Sequence, residues 1–225
     1  MGCIEATIGE IQAILAYWKM LFTTHEDYRI RVWDVSLPEN FRPKKTVTLP
    51  QKRSFFSYLK KNNEQHRDSI SCIAFNHKEK LLYTGSWDDT VKVWNISERL
   101  RFDSFVAHAG HVNAIVLNQE DKCVFTCSSD GTVKIWRTVF FIESSHILTM
   151  TLKFQPSPEN PDERILFLCL ATIKDLILSG SEDAIIQILR DGNSFHSWLA
   201  VIDGHDEPVK CLAAALETEE IMTGC

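Results

Sequence analysis

A hydroxyl, an imidazole and a carboxylate are the parts of a nucleophilic triad, in which histidine takes the proton of Ser or Thr and the carboxylate orients the ring. The chain of 225 residues carries such a set at His66, Thr84 and Asp88, and again at His108, Thr126 and Asp130. A triad is needed once. Here the hydroxyl and carboxylate recur at fixed distances from a tryptophan: Thr84 and Asp88 stand ten and six residues before Trp94, and Thr126 and Asp130 stand likewise before Trp136. Thr23 and Asp27 precede Trp33 in the same way, and Ser179 and Asp183 precede Leu189, which takes the tryptophan position of a fourth copy. A fifth copy opens with His205 and runs to Thr223. Repetition with an indole N–H attached points to a stabilising network, because a buried Asp needs donors and imidazole, hydroxyl and indole supply them.

The elements that must position these groups are strands. From Thr23 to Thr84, Thr126, Ser179 and Thr223 the intervals are 61, 42, 53 and 44 residues, so one unit has been repeated with two stretches added between units. Within a unit, Ser71, Ile73 and Phe75 alternate with Cys72 and Ala74, and Val91, Val93 and Ile96 stand among polar neighbours. Period two with β-branched and aromatic residues predicts strands. Asp88-Asp89 and Asp130-Gly131 are tight-turn signals. Each unit reads as strand, loop, strand, tight turn, strand, then a fourth strand such as residues 101–106.

With those residues in place, the repeats resemble WD40 repeats, whose period is about 40–45 residues. The resemblance implies an all-β fold: a WD40 β-propeller, whose four-stranded blades are arranged radially around a channel. It also implies that a histidine at the head of the first strand joins the Ser/Thr, Asp and Trp in a buried chain. The two middle repeats carry the full set, whereas the first has Thr7 and the fourth Glu163 at the histidine position. Four segments resemble plant WD40 proteins of the JINGUBANG type more narrowly: residues 29–33, 48–50, 81–94 and 204–213. Against that seven-bladed pattern the chain reads as one incomplete propeller of about four and a half blades. Its repeats span about 9–65, 66–107, 108–161 and 162–204, with a half repeat at 205–225, and about one blade is skipped after Pro158. This leads to the expectation of an open arc with raw sheet edges, rather than a smaller closed ring, and of a truncated or mis-spliced gene product.

Composition fits a soluble intracellular chain. A net charge of −6 argues against a chain-wide role on nucleic acid or membrane. Of seven cysteines, Cys72, Cys123, Cys127, Cys169 and Cys211 lie in or beside apolar strands without a C-x-x-C pair, which predicts buried free thiols and neither disulfides nor zinc. The apolar run 11–22 is too short to span a bilayer, and 165–178 is broken by Lys174-Asp175. The Met1-Gly2-Cys3 start has Ala6 where a myristoylation signal needs Ser or Thr. Phosphate-loop, zinc-protease and nucleophile-elbow motifs are missing, so no cofactor, metal or catalysis is expected. His25-Glu26-Asp27 looks like a ligand set until the repeat phase places Asp27 in the network and Glu26 on the exposed turn.

The function so implied is a non-catalytic scaffold for protein–protein interaction, in plant regulatory signalling, in the cytoplasm or nucleus. Partner contacts are expected on the loop rim, where Glu26, Trp87, Ser129 and Glu182 precede each turn Asp. Trp87 is the expected anchor, against an indole folded on the neighbouring blade. The alternatives are a substrate receptor of a cullin-type ubiquitin ligase, or a truncated product without independent function. The receptor requires a W-D-x-R box, and Trp33-Asp34-Val35-Ser36 has serine in place of arginine. The basic insert 38–65 places Arg42, Lys44, Lys45, Lys52, Arg53, Lys60 and Lys61 among Phe55, Phe56 and Tyr58. It reads as a solvated inter-blade loop, with nucleic-acid binding through 42–61 as the weaker reading. The second insert, 140–162, ends in an irregular loop at Pro156, Pro158 and Pro161 and reads as a splice junction, not a site.

Overall fold

The computed structural model describes residues 9–36, 44–51, 64–139, 146–153, 165–190, 197–215 and 220–225. All regular structure among them is strand. The first antiparallel sheet runs in chain order through β1 (Ile11–Tyr17), β2 (Met20–His25), β3 (Ile30–Asp34) and β4 (Lys44–Leu49). The second holds β5 (Ile70–Asn76), β6 (Leu81–Ser86), β7 (Thr90–Asn95) and β8 (Leu100–Val106). The third holds β9 (Val112–Asn118), β10 (Cys123–Ser128), β11 (Thr132–Thr138) and β12 (His146–Lys153). The fourth holds β13 (Phe167–Ile173), β14 (Leu176–Ser181), β15 (Ile186–Arg190) and β16 (Ser197–Ile202), and β17 (Cys211–Ala215) with β18 (Glu220–Gly224) makes a two-stranded fifth.

Two segments read from sequence as inserts are in part the outer strands of their blades. Lys44 to Leu49 lie within the basic insert yet form β4, and His146 to Lys153 lie within the second insert yet form β12. Both alternate polar and apolar side chains weakly, because an outer strand has one ladder neighbour and mostly exposed residues. Residues 52–63, with Phe55, Phe56 and Tyr58, lie outside the described residues.

The turns between second and third strands repeat one device. Tyr28, Asp89, Gly131 and Ala184 each adopt positive φ, a conformation that favours glycine, yet only one of them is glycine. In three blades the preceding Asp accepts from the N–H two residues on, Arg29 to Asp27 at 3.3 Å, Thr90 to Asp88 at 3.1 Å and Thr132 to Asp130 at 3.0 Å. That Asx turn stabilises the left-handed residue locally.

The core lies between blades. Inner strands pack in the order β1, β5, β9, β13, β17, and each apolar cluster draws on two successive blades. A repeated hydrogen bond ties the same junctions to the carbonyl that heads the next inner strand. Thr24 Oγ1 donates to Ile70 O at 3.0 Å, Ser71 Oγ to Val112 O, Asn113 Nδ2 to Phe167 O at 2.8 Å, and Cys169 Sγ to Val209 O at 3.2 Å. All four receiving residues are fully buried, so each carbonyl must find its partner inside the protein.

The cysteines have a place in this junction. Cys72, Cys169 and Cys211 each face a glycine across the ladder, Gly85, Gly180 and Gly224. In the third blade the sizes are exchanged, with Cys127 opposite Ala114. Burial pushes the Cys72 and Cys169 thiols up to about 12, so they pack as small apolar groups. Cys211 corrects the expectation of burial: it is exposed, because no blade follows β17 in the described residues to cover it. A Cβ on Gly85 would lie 2.5 Å from Cys72 Sγ and 2.6 Å from Val112 Cγ1. Gly85→Ala is therefore expected to destabilise by about 1–3 kcal/mol. Adding Cys72→Ala should recover part of that loss in a double-mutant cycle read by urea denaturation.

Candidate protein-binding rim

The second and third blades build the same relay. Trp94 Nε1 donates to Thr84 Oγ1 at 3.0 Å, Thr84 lies 2.9 Å from His66 Nε2, and His66 Nδ1 lies 3.1 Å from both oxygens of Asp88. An ionised carboxylate only accepts, so Nδ1 carries the proton, Nε2 accepts, and the Thr84 hydroxyl donates to it. In the next blade Trp136 Nε1 donates to Thr126 at 3.0 Å, Thr126 meets His108 Nε2 at 2.8 Å, and His108 Nδ1 meets Asp130 at 3.0 Å. Each Asp also accepts from a second hydroxyl, Thr90 to Asp88 at 2.5 Å and Thr132 to Asp130 at 2.6 Å. The chain N–H groups of Arg67 and Ala109 complete the two carboxylates. Thr84 and Thr126 are fully buried. The hydroxyls face an indole and an imidazole, where a nucleophile would need room for substrate.

The other blades depart from that wiring. In the first, Trp33 Nε1 donates to Thr23 at 2.9 Å, and the imidazole comes from His25, whose Nε2 lies 2.8 Å from Thr23. Two residues apart on one strand, Thr23 and His25 share a sheet face. Asp27 does not join them. Arg31, opposite Thr23 in the ladder, grips both Asp27 oxygens at 3.0 and 2.7 Å, a fork that lysine cannot make. In the fourth blade Leu189 fills the tryptophan position with apolar contact, Asp183 accepts from Ser181, and Ser179 Oγ is buried without a partner among the described residues. Across the ladder from Ser179, Gln187 buries both ends of its amide with no partner there either. In the fifth, His205 Nδ1 lies 3.2 Å from Cys225 Sγ, and Thr223 is exposed. Thr7 and Glu163 lie outside the described residues.

A further buried cluster bridges the second and third blades, and the repeat pattern gave no sign of it. His146 on β12 places Nδ1 2.7 Å from Asp103 on β8, with Nε2 3.1 Å from the Tyr83 hydroxyl and 3.3 Å from Thr138 Oγ1. Its ring stacks on Phe105 at 5.3 Å. Burial pushes the Tyr83 hydroxyl well above its ordinary value, so it stays protonated.

The rim residues share one backbone geometry. The N–H of Glu26, Trp87, Ser129 and Glu182 donates to the carbonyl of Glu10, Ser69, His111 and Leu166 respectively, at 3.2, 2.9, 3.1 and 3.0 Å. Each stands on a turn pinned by its own blade. Glu26 and Glu182 are exposed and Ser129 is half-buried. Trp87 is 45% exposed, and its indole stacks on the His111 ring at 5.1 Å and 11°. It leans on the neighbouring blade and still presents an open face. His111 precedes β9 and its carbonyl holds the Ser129 turn, so the Trp87–His111 stack joins two adjacent rim positions. His111 could have been found by its place at the head of the third repeat's first strand.

Residues 58–95 and 101–137 match the WD40 family model, described as WD domain, G-beta repeat, and the matched stretches take in β5 to β7 and β8 to β11. Over 32 residues the chain is 53% identical to nuclear distribution protein nudF 2 of Penicillium rubens. That match covers 14% of this chain and 7% of the relative. The fold is similar to the crystal structure of the computationally designed Ika8 protein, with a TM-score of 0.67 at 20% identity over 95% of this chain and 57% of that one. The likeness to Ika8 is one of fold.

The relay makes stability acid-sensitive in two steps. Burial lowers the His66 pKa below 6.5 despite the pull of Asp88, so the unfolded chain binds its proton first and stability falls as pH drops below that value. For Asp88 and Asp130 burial opposes ionisation, but hydrogen bonds led by His66 and His108 outweigh it and hold both well below 3.8. Their contribution is complete above 3.8 and is lost as pH falls beneath it. Urea midpoints taken from pH 7 to pH 3 should decline below 6.5 and again, more steeply, below 3.8. For the fourth blade, Gln187→Met keeps the length of the side chain and removes buried polar atoms that have no partner among the described residues. It is expected to raise stability by about 1 kcal/mol in the same assay.

Proposed function

We propose that this chain is a non-catalytic scaffold that binds other proteins through the loop rim around Trp87. WD40 repeats are modules of protein–protein interaction, and the match of residues 58–95 and 101–137 to the WD40 model supports the reading. The observation that carries the reading is Trp87, an indole 45% exposed, seated on His111 across a blade boundary and fixed by a pinned turn. A large ring with its rotamer already chosen loses little freedom when a partner covers it, which is the property of an interface anchor. Glu26, Ser129 and Glu182, in the equivalent positions, contribute polar contacts around it. No helix among the described residues is long and apolar enough to cross a membrane.

The setting we propose is plant regulatory signalling in the cytoplasm or nucleus, supported by the resemblance of residues 29–33, 48–50, 81–94 and 204–213 to plant WD40 proteins. A cullin-type substrate receptor is the second reading, supported by the partial box at Trp33-Asp34. Trp87→Ala, with circular dichroism unchanged, should lose at least about tenfold in affinity for partners captured from plant extract by the unaltered chain. An altered protein that folds normally and retains every partner would remove Trp87 from the interface. Recovery of a cullin adaptor would favour the receptor reading over the scaffold.

A further inference from the structure

We infer that the partner of the rim is basic: an extended segment of it lays an arginine on the open face of Trp87, between that indole and the rim of the first blade. This rests on the reading of Trp87 as the rim's anchor and names the chemistry of what meets it. One face of the indole is already covered, because the ring lies on His111 of the third blade at 5.1 Å and 11°. The opposite face therefore turns away from the third blade and toward the first, and with the side chain 45% exposed it is open. The face of an aromatic ring is the negative side of its quadrupole, so it attracts a cation and repels a carboxylate. Arginine fits better than lysine, because its planar, weakly hydrated head stacks on an indole.

The charges around the ring select the same sign. The turns between second and third strands, 26–29, 87–89, 129–131 and 182–184, hold two acidic residues each in the first, second and fourth blades and one in the third, against Arg29 as their single base. Asp27 is paired with Arg31. Asp88 keeps its full charge, because burial holds its partner His66 neutral. Glu26 is exposed, and Asp89, two residues past Trp87, is half-buried, so a partner can reach both. The loop entering the second blade adds Arg67 and Asp68, which cancel.

The opposite end of the blades shows that this excess is local. The turns between first and second strands, 18–19, 77–80, 119–122 and 174–175, hold five lysines against four acidic residues. Lysine takes the left-handed position in three of them, Lys80, Lys122 and Lys174 at φ 58°, 56° and 53°. At the rim that position is Tyr28, Asp89, Gly131 or Ala184, and never basic. The negative field thus belongs to the end that carries Trp87, where it steers a basic segment onto the ring.

Titrations of the whole isotope-labelled chain, read at the Trp87 indole N–H signal that Trp87→Phe removes, test this. Three short peptides of glycine and serine serve as probes, each with arginine, glutamate or leucine at the same two positions. The arginine peptide is expected to move the signal to saturation, and the other two to leave it in place. Affinities of the variants are read from the anisotropy of the same peptide carrying a dye. Raising salt from about 50 to about 500 mM should weaken binding at least about threefold. Trp87→Leu, which keeps an apolar side chain and loses the ring, should weaken it about two- to tenfold. Glu26→Gln and Asp89→Asn should each weaken it about twofold with circular dichroism unchanged, since asparagine tolerates the left-handed conformation at position 89. An unmoved signal, a glutamate or leucine peptide that moves it as far, binding indifferent to salt, or full affinity in Trp87→Leu would each overturn the inference. The rim itself fails separately. If the arginine peptide does nothing while Trp87→Ala still sheds partners captured from extract, the rim stands and the basic partner falls; if Trp87→Ala sheds none, the rim falls.

Discussion

A sheet four strands wide has two faces, and strands of five to eight residues are too short to curl the sheet closed around a core of its own. Burial between successive blades is the constraint on which the rest of this structure depends. It explains why the residue before each hydroxyl (Phe22, Tyr83, Phe125, Leu178) is large and buried, why the inner-strand residue opposite the hydroxyl (Ile73, Ile115, Leu170, Leu212) is Ile or Leu, and why the clusters belong to pairs of blades. Fully burying one such side chain is worth about 1.5–3 kcal/mol. Stability in such an array is a sum of weak units and the interfaces between them, and the cysteine–glycine pairs follow from it. Where Cys72 or Cys169 takes the space between inner strand and next blade, its ladder partner has no side chain at all. Where Cys127 moves to the second strand, the partner remains as small as Ala114.

Burying both faces also buries polar groups, and the relay is the remedy. Thr84 and Thr126 each accept an indole N–H and donate their own O–H to an imidazole, which leaves no unpaired buried polar atom in that chain of contacts. The first blade is wired with different residues: His25, on the strand itself, stands in for an imidazole from outside the sheet, and Arg31 takes over the carboxylate. In the fourth blade Leu189 in the tryptophan position keeps the apolar packing, while Ser179 and Gln187 bury polar atoms that have no partner among the described residues. Unpaired buried groups cost about 1–3 kcal/mol each, and among the described residues this blade holds the most of them.

The spacing of Thr, Asp and Trp made the strand order and the tight turns legible in the sequence, because both are local and both recur. The wiring of Thr84, Asp88 and Trp94 was equally legible where the histidine stood at its usual place. What escaped depended on three dimensions. Arg31 could be seen to pair with Asp27 only once the ladder set it opposite Thr23. His146 sits in a stretch outside the repeat phase, and its partners Asp103 and Tyr83 come from another blade. Cys211 looks like Cys169 in sequence, and they differ only in whether a neighbour covers them. The outer strands β4 and β12 were hidden because half-exposed edge strands carry little apolar alternation.

Relay and rim are also coupled through the turn that bears Trp87. Asp88 is tied at once to His66, to Thr90 and to the N–H of Arg67, and Ser86 Oγ accepts from the N–H of Asp88. Trp87 lies between Ser86 and Asp88, both fixed, with its own N–H held by Ser69. Its backbone therefore has little freedom, and the indole settles on His111 rather than sweeping through solvent. The buried network holds the exposed ring where a partner can meet it, which is why the blades with complete relays are also the blades that carry the rim's aromatic pair.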